Sequence, residues 1–132
     1  YFLDLGIKNF CQKTFQEFSI RQDKGQTLEN YVFLELYQNL SYLHKLHFWR
    51  TQDKSEVDFI LRSGDKIIPI EVKAKAMEKP EVSRSFRNFI EKHEIKKAFV
   101  VNLAYTGRIQ IKKAKVEFIL PFEVRKIFFL LN

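Results

Sequence analysis

Between residues 55 and 75 the chain writes out one local structure almost in full. Ser-Glu-Val-Asp-Phe-Ile-Leu-Arg runs into Ser-Gly-Asp-Lys and then Ile-Ile-Pro-Ile-Glu-Val-Lys-Ala-Lys. Two apolar-alternating runs around a Gly-Asp dipeptide are the signature of a β-hairpin with a two-residue loop. A loop at Gly64-Asp65 closes Ser63 on Lys66. Counting outward sets Leu61 against Ile68, Phe59 against Ile70, Asp58 against Glu71 and Val57 against Val72. With side chains alternating between faces, Val57, Phe59 and Leu61 share one face with their partners, and Asp58, Glu71 and Lys73 share the other.

That register puts two carboxylates opposite each other, which destabilises a sheet. At about 5 Å and an effective dielectric of about 20, the repulsion is roughly 3 kcal/mol. A divalent cation or the neighbouring Lys73 would offset it. Hard cations take oxygen ligands, and Mg²⁺ commonly accepts one or two carboxylates while keeping several waters. Such an ion activates water and neutralises charge in phosphodiester hydrolysis. Asp58 and Glu71 are therefore candidate metal ligands for Mg²⁺ or Mn²⁺. Lys73 is the candidate for orienting the attacking water and stabilising negative charge at phosphorus. Glu29 lies at the flank of an upstream helical stripe, from which it could reach the hairpin acids; as a plain helix residue it would favour the helix dipole.

The chain has 132 residues, 45% of them hydrophobic and 14 of them Phe, enough for one domain with a sizeable core. No apolar run is long enough for a membrane helix, so no membrane partner is expected. The absence of an initial Met and of a signal-peptide layout suggests a piece of a larger intracellular, cytoplasmic protein. A lone Cys11 in a Phe-rich segment fits a reducing compartment and reads as a buried apolar thiol. The excess of 23 Lys and Arg over 16 Asp and Glu, net +7, is compatible with a nucleic-acid partner.

Elsewhere the punctuation is sparse, with 4 Gly and 3 Pro. Residues 1–24 read as a lead-in holding a helix near 9–18. Leu28, Val32, Leu36 and Leu40 form a helical stripe over 25–43, with Thr27 as N-cap. Strands follow at 45–50, 56–62 and 66–75, with Pro69 at an edge, a bulge or a non-bonded position. A helix over 79–94, with Pro80 in its first turn, points Val82, Phe86, Phe89 and Ile90 inward. Strands at 98–102, 108–112 and 116–120 precede a tail, 121–131, open to helix or strand. Residues 25–132 thus form an α/β core with helices on a mixed central sheet.

Other residues admit two readings. Lys75, Arg84 and Arg87 are either solvated or a basic rim for nucleic acid. Glu56 is an outer ligand or a strand-end acid, and Glu35 is structural. Leu46-His47-Phe48-Trp49 packs a core or offers a platform for a splayed base. His44, His47 and His93 lack the spacing of a zinc site.

Gly25-x-x-x-Glu29, Val57-Asp58-Phe59-Ile60 and Ile70-Glu71-Val72-Lys73 together resemble the PD-(D/E)xK nuclease superfamily, and its archaeal Holliday-junction resolvases in particular. Val57 stands where the motif's name has proline. The resemblance implies a three-layer, restriction-endonuclease-like core in which Asp58 and Glu71 hold the metal, Lys73 is catalytic and Glu29 completes the site. It also covers superfamily members that have lost activity. Tyr-Phe-Leu-Asp-Leu-Gly-Ile-Lys-Asn, Leu-Glu-Asn-Tyr-Val-Phe-Leu-Glu-Leu, Phe-Trp-Arg-Thr-Gln-Asp-Lys-Ser-Glu-Val-Asp-Phe-Ile-Leu and Ile-Ile-Pro-Ile-Glu-Val-Lys-Ala-Lys further resemble the C-terminal domain of unknown function of bacterial and archaeal AAA-type P-loop ATPases. That likeness implies an ATP-binding module elsewhere in the full-length protein, since no Gly-x4-Gly-Lys-Ser/Thr loop occurs here. The expected function is metal-dependent DNA cleavage, with a homo-oligomer as an open alternative to a monomer. The alternative is a non-catalytic module that binds nucleic acid or protein and regulates the ATPase.

Overall fold

Gly64 adopts a φ of 56°, the left-handed value that a tight hairpin loop requires at its first position. The computed structural model describes residues 1–52 and 54–131. Asp53, inside one of the quoted motifs, and Asn132, the last residue of the expected core, lie outside the described residues. In chain order the elements are α1 (Leu5–Gln12), a 3₁₀ turn (Phe18–Ile20), α2 (Lys24–Gln38), β1 (His44–Arg50), β2 (Glu56–Ser63) and β3 (Lys66–Val72). Then come α3 (Arg84–Lys92), β4 (Lys97–Val101), β5 (Gly107–Ile111), β6 (Ala114–Ile119) and a 3₁₀ stretch over Pro121–Leu130.

The strands form one six-stranded mixed sheet in the order β1-β2-β3-β4-β6-β5. The first three make an antiparallel meander, β3 and β4 are parallel across the α3 crossover, and β4 and β6 are again parallel. Alternation splits the sheet's apolar residues between two cores. Phe59, Leu61, Ile68, Ile70, Phe99 and Val101 pack against Val32 and Leu36 of α2 and Val124, Ile127 and Phe128 of the terminal 3₁₀ stretch. Ala98, Val100, Val116 and Phe118 pack against Phe86, Phe89 and Ile90 of α3. The chain is an α/β protein whose mixed sheet is flanked by helices.

The hairpin register is the expected one from Ser63↔Lys66 through Phe59↔Ile70. Antiparallel pairs alternate between hydrogen-bonded and open, so with Ser63 and Lys66 bonded, Ile60↔Pro69 is an open pair. The ladder to β4 begins only at Ile70, leaving the proline without an N–H to supply on either side. Beyond Phe59 the expectation fails. Between His47 and Trp49 the β1–β2 register shifts, so that Phe48 faces both Asp58 and Phe59, a β-bulge. The bulge turns Val57 to the other face, where it packs with the α3 core rather than beside Phe59 and Leu61. The expected Val57–Val72 and Asp58–Glu71 pairs are therefore absent from the β2–β3 ladder.

Several boundaries also differ. α1 begins at Leu5, where the Asp4 carboxylate accepts the Ile7 amide at 3.0 Å, and ends at Lys13 in a left-handed turn with φ 51°. Cys11 is exposed, because α1 lies outside the sheet layers and leaves Ile7 and Phe10 in solvent as well. Thr27 is buried inside the first turn of α2, and Asp23 holds the N-cap position. α2 stops at Gln38 because Asn39 turns back, its side chain donating to the Glu35 carbonyl at 2.7 Å. β3 ends at Val72 rather than at residue 75. α3 begins at Arg84, not near Pro80, because the Ser83 hydroxyl caps the Phe86 amide at 3.1 Å. The tail is 3₁₀, neither α-helix nor strand, and starts where the Glu123 carboxylate accepts the Leu120 amide at 2.9 Å.

Candidate functional site

At the end of the meander, Asp58 bends into the sheet. Its Oδ2 accepts the Val72 amide at 2.6 Å, taking the proton that regular pairing would have given to the Val57 carbonyl. The bulge at Asp58-Phe59 makes this possible, since it re-aims the aspartate from a ladder position toward β3. Burial is the largest influence on this carboxyl and pushes its pKa up to about 7. The Val72 amide opposes the rise, while the charges of Glu29, Glu71 and Glu56 add to it. A carboxyl that titrates near neutrality in an acidic surround favours any cation placed beside it.

Glu71 is 7% exposed, an unusual burial for a glutamate. Its Oε2 accepts the Ser83 amide at 3.2 Å, at the capped start of α3, and its Oε1 lies 3.5 Å from Lys73 Nζ. Lys73 itself is anchored by its amide, which donates to the Val101 carbonyl at 2.8 Å. Asp58, Glu71 and Lys73 thus share one end of the sheet, with Asp58 bonded to β3 and Glu71 bonded to the start of α3.

Glu29 faces the other side of this group. Its Oε1 accepts the Tyr1 hydroxyl, whose pKa is raised by burial and by that carboxylate. The Tyr1 ring stacks on Phe33 at 4.6 Å and Phe48 at 5.4 Å and leans on Phe59 at 5.6 Å. Asn30, 3% exposed, holds the neighbouring main chain from both sides: it accepts the Phe2 amide at 2.7 Å and donates to the Phe2 carbonyl at 2.8 Å. Sequence reasoning missed Tyr1 and Asn30. The one available signal was Asn30 itself, a weak helix former inside a strong helical pattern. Tyr1, Glu29, Phe48, Trp49, Arg50, Glu56, Val57 and Asp58 line a cleft of about 350 Å³.

Glu56 pairs with Arg50 on the adjacent strand at 2.6 Å, the strand-end role, and Glu35 lies 3.7 Å from Arg125. Lys75 is bonded to Glu81 at 3.3 Å, and Arg84 and Arg87 are exposed on the first turn of α3, next to the residue that holds Glu71. Phe48 is 55% exposed while Trp49 packs edge-on against Phe89, so that segment serves both the solvent and the core.

The donor set of Asp58 and Glu71 fits a hard divalent ion that keeps most of its waters. Among the described residues, no group of three or more His, Cys, Asp or Glu side chains is arranged to hold a metal. No helix among the described residues is long and apolar enough to cross a membrane.

In overall fold the chain is similar to one chain of the refined half-complex from the tetradecameric assembly of Thermococcus gammatolerans McrB AAA+ hexamers with bound McrC. The TM-score is 0.57 at 8% identity, over 82% of this chain and 33% of the other. The chain thus spans about a third of the length of that solved chain. No curated protein matches. The family model described as "Domain of unknown function (DUF4143)" matches residues 24–124, well over half of the sequence and every site residue named above except Tyr1, and the chain belongs to that family.

Proposed function

We propose that this domain is a metal-dependent nuclease of the PD-(D/E)xK type that works beside an AAA-type ATPase, with DNA as its substrate. The observation that carries the reading is Asp58, buried at the sheet end among Glu29, Glu56 and Glu71 with its pKa pushed up to about 7. The order helix, three antiparallel strands, helix, parallel strand over α2 to β4 supports a restriction-endonuclease-like core. Asp58 and Glu71 would hold Mg²⁺ or Mn²⁺, which when bound activates water and neutralises charge on the scissile phosphate. Lys73 orients the attacking water, Glu29 assists on release from Tyr1, and Lys75, Arg84 and Arg87 hold flanking phosphates. Likeness to a chain from an assembly of AAA+ hexamers supports an ATPase partner and an oligomeric setting.

A second reading, a non-catalytic module that regulates the ATPase, is favoured by one observation: Glu29, beside Asp58 in the cleft, is already engaged by the Tyr1 hydroxyl. Incubating wild type and Glu71→Ala with labelled duplex, single-stranded and branched DNA in Mn²⁺ separates the two. Cleavage by wild type alone supports the nuclease; equal DNA binding with no cleavage by either protein supports the module.

A further inference from the structure

Tyr37, Phe33, Tyr1 and Phe48 form a continuous aromatic column, with centroid separations of 5.5, 4.6 and 5.4 Å and interplanar angles of 24°, 13° and 27°. These are offset-stacked rings, a packing that leaves the outer face of a terminal ring able to take a further flat π-system. Both ends of the column stay in solvent, Tyr37 at 51% and Phe48 at 55% exposure. The Phe48 end opens on the cleft that holds Asp58 and Glu29. The bulge that re-aims Asp58 is the same irregularity that sets Phe48 opposite it, so aromatic face and acid come from one local distortion.

We infer that the Phe48 end of this column stacks an unpaired nucleobase, so that the ligand of the cleft is a single-stranded polynucleotide. This rests on the proposed phosphodiester site and names its substrate class. A base inside a duplex has both faces covered by its neighbours and cannot extend the column, whereas a base in a single strand can. A nucleotide would set its base against Phe48 and its phosphate on the divalent ion of the proposed site, since Glu29, Glu56 and Asp58 by themselves repel a phosphate. The net charge of +7 suits a polyanion.

The test measures binding in Ca²⁺, a hard divalent ion that suits the same carboxylates, and reads complex formation rather than cleavage, so its outcome is separate from that of the nuclease assay. Wild type, Phe48→Ala, Phe48→Leu and Phe48→Tyr are titrated with one labelled single-stranded DNA, its duplex and the matching RNA. Single strands should bind more tightly than the duplex, and whichever of DNA and RNA binds better identifies the polynucleotide. Phe48→Ala and Phe48→Leu should each weaken single-strand binding roughly tenfold and leave duplex binding unchanged. Phe48→Tyr, which keeps a π-face, should restore it. Trp49, the single tryptophan of the chain, lines the same cleft, and its fluorescence should change with single strands only. Equal affinity for single strand and duplex, no binding to either, or equal losses on both in Phe48→Ala would overturn the inference. If single strands bind as expected while the Mn²⁺ assay shows no cleavage, stacking stands and the catalytic reading falls.

Discussion

The Asp58 carboxylate accepts the Val72 amide at 2.6 Å, so a side chain completes a main-chain ladder at the point where β2 and β3 part. One oxygen is thereby committed to the fold and the other is left facing the cleft. The acid is both a structural tie and the most perturbed carboxyl of its surround.

That dual role gives stability a particular pH dependence. The folded pKa of Asp58 is about 7, against about 4 for an unfolded chain, so between these values the folded state holds the extra proton. The benefit of the protonated form is complete below about pH 4 and gone above about pH 7. Wild type should be less stable to urea at pH 8 than at pH 5, with an upper limit of about 2.6 kcal/mol from this group over that interval. Asp58→Asn should remove most of that slope. If the two proteins show the same slope, the account of this carboxyl is wrong.

A divalent ion should relieve the same penalty. At pH 8, Mn²⁺ at about a hundredfold excess over its dissociation constant should stabilise wild type by about 2.7 kcal/mol. Thermal melts of Asp58→Ala and of Glu71→Ala should not move with Mn²⁺. A rise that survives both substitutions would place the ion elsewhere.

Asp23 should matter in the opposite pH direction. It accepts Arg21 twice at 2.8 Å and Lys8 at 2.8 Å, and these cations are 5% and 3% exposed. The Arg21 guanidinium and then the Lys8 ammonium hold its carboxyl well below the usual range. Its contribution is present above about pH 4 and is lost as pH falls further. Asp23→Ala leaves two cations without their partner, and should cost several times what an exposed ion pair is worth. Urea midpoints should separate the variant from wild type fully at pH 7, and the gap should narrow progressively only as pH falls below about 4.

Asn30→Ala should free the amino-terminal segment. The Phe2 amide and carbonyl lose their partners, a loss of about 1–2 kcal/mol. Hydrogen exchange at the Phe2 amide reads the effect directly: protection should vanish in the variant. Unchanged protection would mean that the ring stack of Tyr1 alone fixes the segment.

Much of this was legible in the chain because it depends on neighbours in sequence. Alternation and a Gly-Asp loop set the hairpin register through Phe59↔Ile70, and the stripe Leu28, Val32, Leu36 marked the inner face of α2. What escaped depends on contacts between distant segments. The bulge arises where β1 meets β2, and a hairpin read alone contains no hint of it. Cys11 was misread because Phe and Ile in its segment suggest a core, whereas α1 is fastened by the buried Lys8–Asp23 pair and keeps its apolar residues outward. Pro80 drew the expected start of α3 to residue 79, five residues too early, although Ser83 carried the true capping signal. Glu29 was placed on the correct flank, but its partner comes from the first residue of the chain.

The parallel step from β3 to β4 bears on how the site comes into being. The meander β1-β2-β3 joins neighbours through short turns, so Asp58 acquires its Val72 contact from a local event. Glu71 meets Ser83 just ahead of α3, whereas the Lys73 amide finds the Val101 carbonyl only when the α3 crossover has brought β4 alongside β3. Such non-local closure is the slow part of building a mixed sheet. Both acids are thus tied by contacts between near neighbours in sequence, and it is the main chain of Lys73 beside them that waits for the long-range closure.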